Sequence, residues 1–133
     1  MFISHKFNEK FEFNGIEIHL VPAYTIQKQT HPKNNEWAGI ILDTEGKRIY
    51  HAGDTERIPE MKNLKDVTVA LLPCGGIYTM DFEESCMAAA DIKPKIVVPM
   101  HNWEKELNPY REIMAKINPN IKVEILENKT LKI

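Results

Sequence analysis

The chain has 133 residues, 43% of them hydrophobic and 27% charged, with a formal net charge of -2. A chain of this length is expected to form one domain (residues 1–133) and to bury roughly two-thirds of its unfolded surface. The charge excludes bulk electrostatic attraction to nucleic acid or to an anionic membrane, and no apolar run approaches the ~20 residues of a membrane span. Met1-Phe2-Ile3-Ser4-His5-Lys6 lacks the pattern of a signal peptide, so a cytoplasmic protein is expected.

Phe11-Glu12-Phe13, Asn14-Gly15 and Ile16 to Val21 predict a β-hairpin, since Asn-Gly supplies the positive φ angles of a type I′ turn between two alternating runs. Residues 23–36 are polar, with Pro32 and Asn34-Asn35, and predict a long loop of the kind that carries function. Trp37 to Leu42 and Arg48 to His51 predict a second strand pair joined through Thr44-Glu45-Gly46. Pro59 opens a short helix over 59–64. Val67 to Leu72 is a continuous apolar run, the mark of a strand covered on both faces.

Asp81 is the expected N-cap of a helix reaching about Ala90, with Glu84 placed for a capping-box return. Ile96 to Val98 predicts a short strand, and Asn108-Pro109 a capped helix to about Ile117. Val123 to Leu126 and Thr130 to Ile133 predict a final hairpin. The order is paired strands followed by β-α-β-α-β, which implies an α/β fold: a mixed sheet with helices on one face. The other face then needs a cover, and a partner sheet would supply it.

Two segments carry candidate chemistry. Tyr50-His51-Ala52-Gly53-Asp54-Thr55 puts a carboxylate just beyond a strand, after two small residues that allow a sharp turn. Such a carboxylate bridges two divalent cations, one per oxygen, or else caps an Asx-turn. Val98-Pro99-Met100-His101 puts an imidazole at the end of a buried strand, where it is a ligand for zinc, iron or manganese, or a structural histidine. Crevices at strand carboxyl ends are where open α/β sheets place their sites, so the two segments reinforce each other.

His31, in Thr30-His31-Pro32-Lys33, is a loop histidine available as a further ligand or simply solvated. His51 adjoins the Gly-Asp turn and is expected to orient Asp54 or to pack; His19 and His5 have no expected role. Pro73-Cys74-Gly75-Gly76 leads toward a helix N-terminus but fits no P-loop spacing, so a tight strand-to-helix connection competes with an anion cradle. Cys74 and Cys86 match no zinc-ribbon spacing and are expected as free thiols, Cys86 buried and Cys74 buried or facing the site.

In chain order, Val21-Pro22-Ala23-Tyr24, Thr30-His31-Pro32-Lys33, Tyr50-His51-Ala52-Gly53-Asp54-Thr55, Leu71-Leu72-Pro73-Cys74-Gly75-Gly76, Tyr78-Thr79-Met80-Asp81 and Pro99-Met100-His101 resemble the metallo-β-lactamase superfamily. The resemblance covers residues 15–133 and is to the C-terminal half of the metal-dependent hydrolase branch that includes ascorbate-6-phosphate lactonase-like proteins. It implies half of an αββα sandwich with a metal site at the sheet edge. His31 would ligate the first metal, Asp54 would bridge both, and His101 would ligate the second.

The His-x-His-x-Asp-His signature of the family's N-terminal half does not occur in these 133 residues. Thr68 stands where relatives carry Asp, which predicts weaker support of the site. The resemblance implies hydrolysis of an ester, lactone or phosphodiester by metal-activated water, with zinc or another divalent transition metal (manganese or iron). With four of the family's ligands absent and three present, weak or no activity by the chain alone is expected. The competing expectation is a non-catalytic module that homodimerises through its uncovered sheet face or pairs with a separate N-terminal half.

Overall fold

The computed structural model describes residues 7–133. Asn14 and Gly15 turn the chain with φ angles of 51° and 80°, the two positive values of a type I′ turn. The predicted hairpin forms from them: β1 (Lys10–Phe13) pairs antiparallel with β2 (Ile16–Pro22). Glu45 and Gly46 repeat the device at 48° and 71° between β3 (Ala38–Thr44) and β4 (Lys47–His51). β2 also pairs antiparallel with β3, and the loop between them holds a single 3-10 turn, Lys33–Asn35.

Beyond β4 the pairing changes sense. β5 (Val69–Pro73), β6 (Ile96–Met100) and β7 (Lys122–Val123) each run parallel to the strand before them, in one seven-stranded sheet ordered as the chain is. Parallel neighbours need crossovers, and α1 (Phe82–Ile92) and α2 (Asn108–Ile117) provide the last two. The segment expected as a short helix after Pro59 is a 3-10 turn, Pro59–Asn63.

The row His19, Ile41, Tyr50, Ala70, Val97, Val123 crosses β2 to β7 in register. All of it except His19 joins Cys86, Tyr110 and Met114 from the helices in the core. The helices therefore share one face, as predicted, and Ser85 Oγ meets Tyr110 Oη between them at 3.0 Å. The opposite face carries two apolar rows. Phe11, Ile18, Leu42, Ile49, Val69 and Ile96 form one, and Leu20, Ile40, His51, Leu71 and Val98, interrupted only by its histidine, form the other.

Three local expectations are corrected. Asp81 does cap α1 by accepting the Glu84 N–H at 2.8 Å, but the Glu84 carboxylate does not return to it. It accepts the Arg57 N–H at 3.0 Å, because the chain leaving β4 brings a backbone donor to that position. Asn108 is the first residue of α2, not its cap; Leu107 occupies the cap position and Glu106 accepts the Asn108 N–H at 2.9 Å. The final hairpin is absent among the described residues. Lys122 and Glu124 give their N–H groups to Lys95 and Val97, so this segment becomes a parallel edge strand on β6.

Candidate metal centre

β4, β5 and β6 are parallel, so the segments following them emerge at the same sheet edge. After β4, Ala52 N–H still bonds to Leu71 O at 3.1 Å, and the chain then turns at Gly53. Gly53 has φ +68°, and a Cβ there would stand 3.2 Å from the Ala38 carbonyl oxygen; glycine answers both demands. His51 Nδ1 accepts the Gly53 N–H at 3.1 Å. His51 thus braces the turn that presents Asp54. Behind the turn, the fully buried Thr55 accepts the Tyr24 N–H on Oγ1 at 3.1 Å.

His101 directly follows β6 with φ +53°, a conformation that costs a non-glycine residue energy and is concentrated at functional positions. His31 comes from the loop between β2 and β3. Thr25 anchors it, donating its N–H to His31 O at 2.8 Å and accepting the His31 N–H on Oγ1 at 3.1 Å.

The three candidate residues meet. His31 Nε2 lies 3.4 Å from Asp54 Oδ2 and His101 Nδ1 lies 3.3 Å from Asp54 Oδ1, so one carboxylate faces an imidazole on each oxygen. The Asp54 side chain is 48% exposed, open to a ligand. A hollow of about 490 Å³ lined by Ala23, His31, Trp37, Ala38, Gly53 and Asp54 adjoins it. Each imidazole has an indole beside it: Trp37 meets His31 edge-on at 5.3 Å and Trp103 lies over His101 at 5.0 Å between ring centroids.

Imidazole nitrogen and carboxylate oxygen together suit a divalent transition metal. Among the described residues no three His, Cys, Asp or Glu side chains converge on one point. His31, Asp54 and His101 would be the residues to hold such a cation, as part of the four-ligand set that zinc takes.

The remaining candidates lie elsewhere. Cys74 is fully buried with Sγ 3.4 Å from Met100 O, and burial pushes its thiol up to about 12. Gly76 N–H is taken by Met80 O at 2.9 Å, which makes the glycine loop a tight connection and not an anion cradle. Thr68 precedes β5 at the far end of the sheet, where its Oγ1 accepts the Arg48 N–H at 3.1 Å. The expectation that it loosens the site is corrected, because the chain places it at the opposite strand ends. His19 lies on the helix-side face, its pKa lowered by burial and then by Lys10 and Arg48. His5 lies outside the described residues. Sequence reasoning missed Trp37, Trp103 and Glu56; the proximity of the last two to His101 and Asp54 in the chain was the available signal.

Residues 3–102 match the family described as the beta-lactamase superfamily domain. The chain belongs to the metallo-β-lactamase superfamily. Within this superfamily it is 38% identical over 111 residues to a UPF0173 metal-dependent hydrolase of Methanocorpusculum labreanum, covering 77% of this chain and 48% of that one. It is 34% identical over 122 residues to a UPF0173 metal-dependent hydrolase of Pyrococcus abyssi, covering 87% and 54%. A crystal structure from Parabacteroides distasonis, assigned as a metal-dependent hydrolase, superposes with a TM-score of 0.84 at 34% identity, covering 91% of this chain and 56% of that one. The chain therefore spans about half the length of these superfamily members. No helix among the described residues is long and apolar enough to cross a membrane.

Proposed function

We propose that this chain is the part of a metal-dependent hydrolase that supplies the bridging carboxylate, Asp54, and one histidine for each of two divalent cations. The observation that carries this is the placement of His31 and His101 at 3.4 and 3.3 Å from opposite oxygens of Asp54. The metal is zinc, manganese or iron, all of which accept this donor set. The substrate class is an ester, a lactone of the kind the lactonase-like branch takes, or a phosphodiester. When bound, the cation polarises the scissile bond and brings the pKa of its water toward ~7.

The chain's own residues do the rest. Asp54 faces an imidazole on each oxygen and would set the spacing between the two positions. Trp37 and Trp103 pack against the imidazoles and limit their swing. Each position still needs donors beyond those that the described residues bring to it. The chain by itself is therefore expected to hydrolyse weakly or not at all. Two free, buried cysteines suit a reducing cytoplasm.

Elemental analysis of protein purified without chelator or affinity tag tests the proposal. One or more transition metals per chain, lost on Asp54→Ala and on His101→Ala, are expected. A metal-free wild-type chain, or full metal content in Asp54→Ala, would overturn it.

A second reading rests on the sheet face opposite the helices, where Ile40 of one apolar row is 38% exposed and Phe13, two residues along β1 from Phe11, is 63% exposed. Exposed apolar faces of this extent mark interaction sites. On this reading two copies pack face to face as a twofold homodimer, as stacked sheets do at about 10 Å. Light scattering on the wild type and Ile40→Asp decides: a dimer turned monomer supports it, and a monodisperse wild-type monomer eliminates it.

A further inference from the structure

Glu56 follows Asp54 by two residues and is 3% exposed. Its Oε2 accepts the backbone N–H of Ile26 at 2.5 Å and of Gln27 at 2.7 Å, and its Oε1 accepts that of Lys28 at 3.3 Å. Lys28 Nζ lies 4.0 Å from Oε1. Consecutive backbone N–H groups pointing inward form an anion-binding concavity, and here the anion is this carboxylate. A buried carboxylate is strongly disfavoured unless it is hydrogen-bonded in this way.

The amides it holds belong to the loop that ends in His31. That loop is closed at its base by Thr25, bonded to His31 through backbone and side chain and donating its hydroxyl to Lys28 O. It is tied outward as well, by Lys28 Nζ on Thr79 O and by Thr30 Oγ1 on Tyr78 O at 2.9 Å. On the inner side, Glu56 N–H bonds to Tyr24 O at 2.9 Å, and Thr55 bonds to Tyr24 through Oγ1. Asp54, Thr55 and Glu56 thus form one rigid stretch: its first residue faces the site and its last grips the loop that carries His31.

We propose that Glu56 is a positioning residue that locks the His31 loop onto the Asp54 turn, setting the two candidate ligands at their spacing before a metal arrives. Its consequence for metal affinity rests on the reading of His31 and Asp54 as ligands; its hold on the loop does not.

The test uses the full chain with Glu56→Gln, which keeps the shape but turns an N–H₂ toward a backbone donor. In metal-free protein, proton NMR reads the His31 ring resonances, shifted by Trp37 at 5.3 Å, and hydrogen exchange reads amides 26–28. Zinc titration reads affinity in the wild-type and His31→Ala backgrounds. In Glu56→Gln the ring resonances are expected to move toward free-histidine values and exchange at 26–28 to rise at least about tenfold. Zinc affinity is expected to fall about tenfold in the wild-type background, the scale of a lost ligand-orienting contact. It should not change further in the His31→Ala background, the signature of a shared pathway.

Thr25→Val, which opens the same loop and leaves the carboxylate intact, should reproduce the pattern if Glu56→Gln fails to fold. Unchanged ring resonances and exchange would overturn the proposal. So would an affinity loss of equal size in both backgrounds, which a merely structural role predicts. If the wild type binds no zinc, the metal reading fails while the ring resonances still decide the positioning role.

Discussion

A Cβ placed on Gly75 would come within 2.3 Å of Trp103 Cδ1. The strand-to-helix loop and the indole over His101 are therefore packed to backbone contact, and the His101 carbonyl oxygen lies 2.6 Å from the same point. Gly75→Ala must move Trp103, and with it the ring that holds His101 in place. Overpacking of this kind costs about 1–3 kcal/mol. The expected outcome is a shifted tryptophan emission, a modest fall in unfolding midpoint and weaker metal binding, read by fluorescence, urea denaturation and zinc titration.

Arg57 grips Asp91 with Nε at 2.6 Å and Nη2 at 3.1 Å. This paired contact fastens the segment after the Asp54 turn to α1, alongside the Arg57 N–H on Glu84. Bidentate geometry raises such a pair above an ordinary surface bridge, while partial exposure screens it, so Asp91→Ala is expected to destabilise by about 1 kcal/mol. The urea midpoint should fall with an unchanged slope.

Asp43 accepts Arg48 Nε at 2.8 Å and Nη2 at 2.9 Å, and these hydrogen bonds hold its carboxyl below the usual range. A group that is more acidic folded than unfolded stabilises the fold fully above its unfolded value, about 3.9. That contribution is lost as pH falls through the lower folded value. Asp43→Asn should therefore be less stable than wild type by about 1 kcal/mol at pH 6. The gap should close below about pH 4 in a series of urea titrations.

Cys74 and Cys86 are fully buried, and burial pushes both thiols up to about 12. Thiolate is the reactive form. Ellman's reagent at pH 8 should label the native chain at least about a hundredfold more slowly than the urea-unfolded chain. Fast labelling of one thiol in the native state would show that the loop after β5 or the helix pair opens readily.

The hairpin turns and the Asp81 cap were legible because their causes are local. Asn14-Gly15 needs only its own φ angles, and the Asp81 cap needs a donor three residues on. The same locality explains the misses. Glu84 was expected to return to Asp81, yet Arg57 arrives from another part of the chain and takes its carboxylate. β7 has the composition of half a hairpin, yet its backbone groups are satisfied on β6 first. Glu56 drew no expectation at all, because nothing near it in sequence shows that three amides of another loop will close on it.

By itself the sequence determined the mixed sheet and the one-sided helices, through alternation and turn chemistry, and put Asp54 and His101 just past strands; His31 became a candidate ligand only through the family resemblance. Tertiary structure alone decided that His31 and His101 face opposite oxygens of one carboxylate. It also decided that Thr68 lies far from them and that two indoles steady the imidazoles. The reason is physical: backbone preferences act over a few residues, whereas a metal site is a coincidence of strand ends and loop anchors that only the packed sheet brings together.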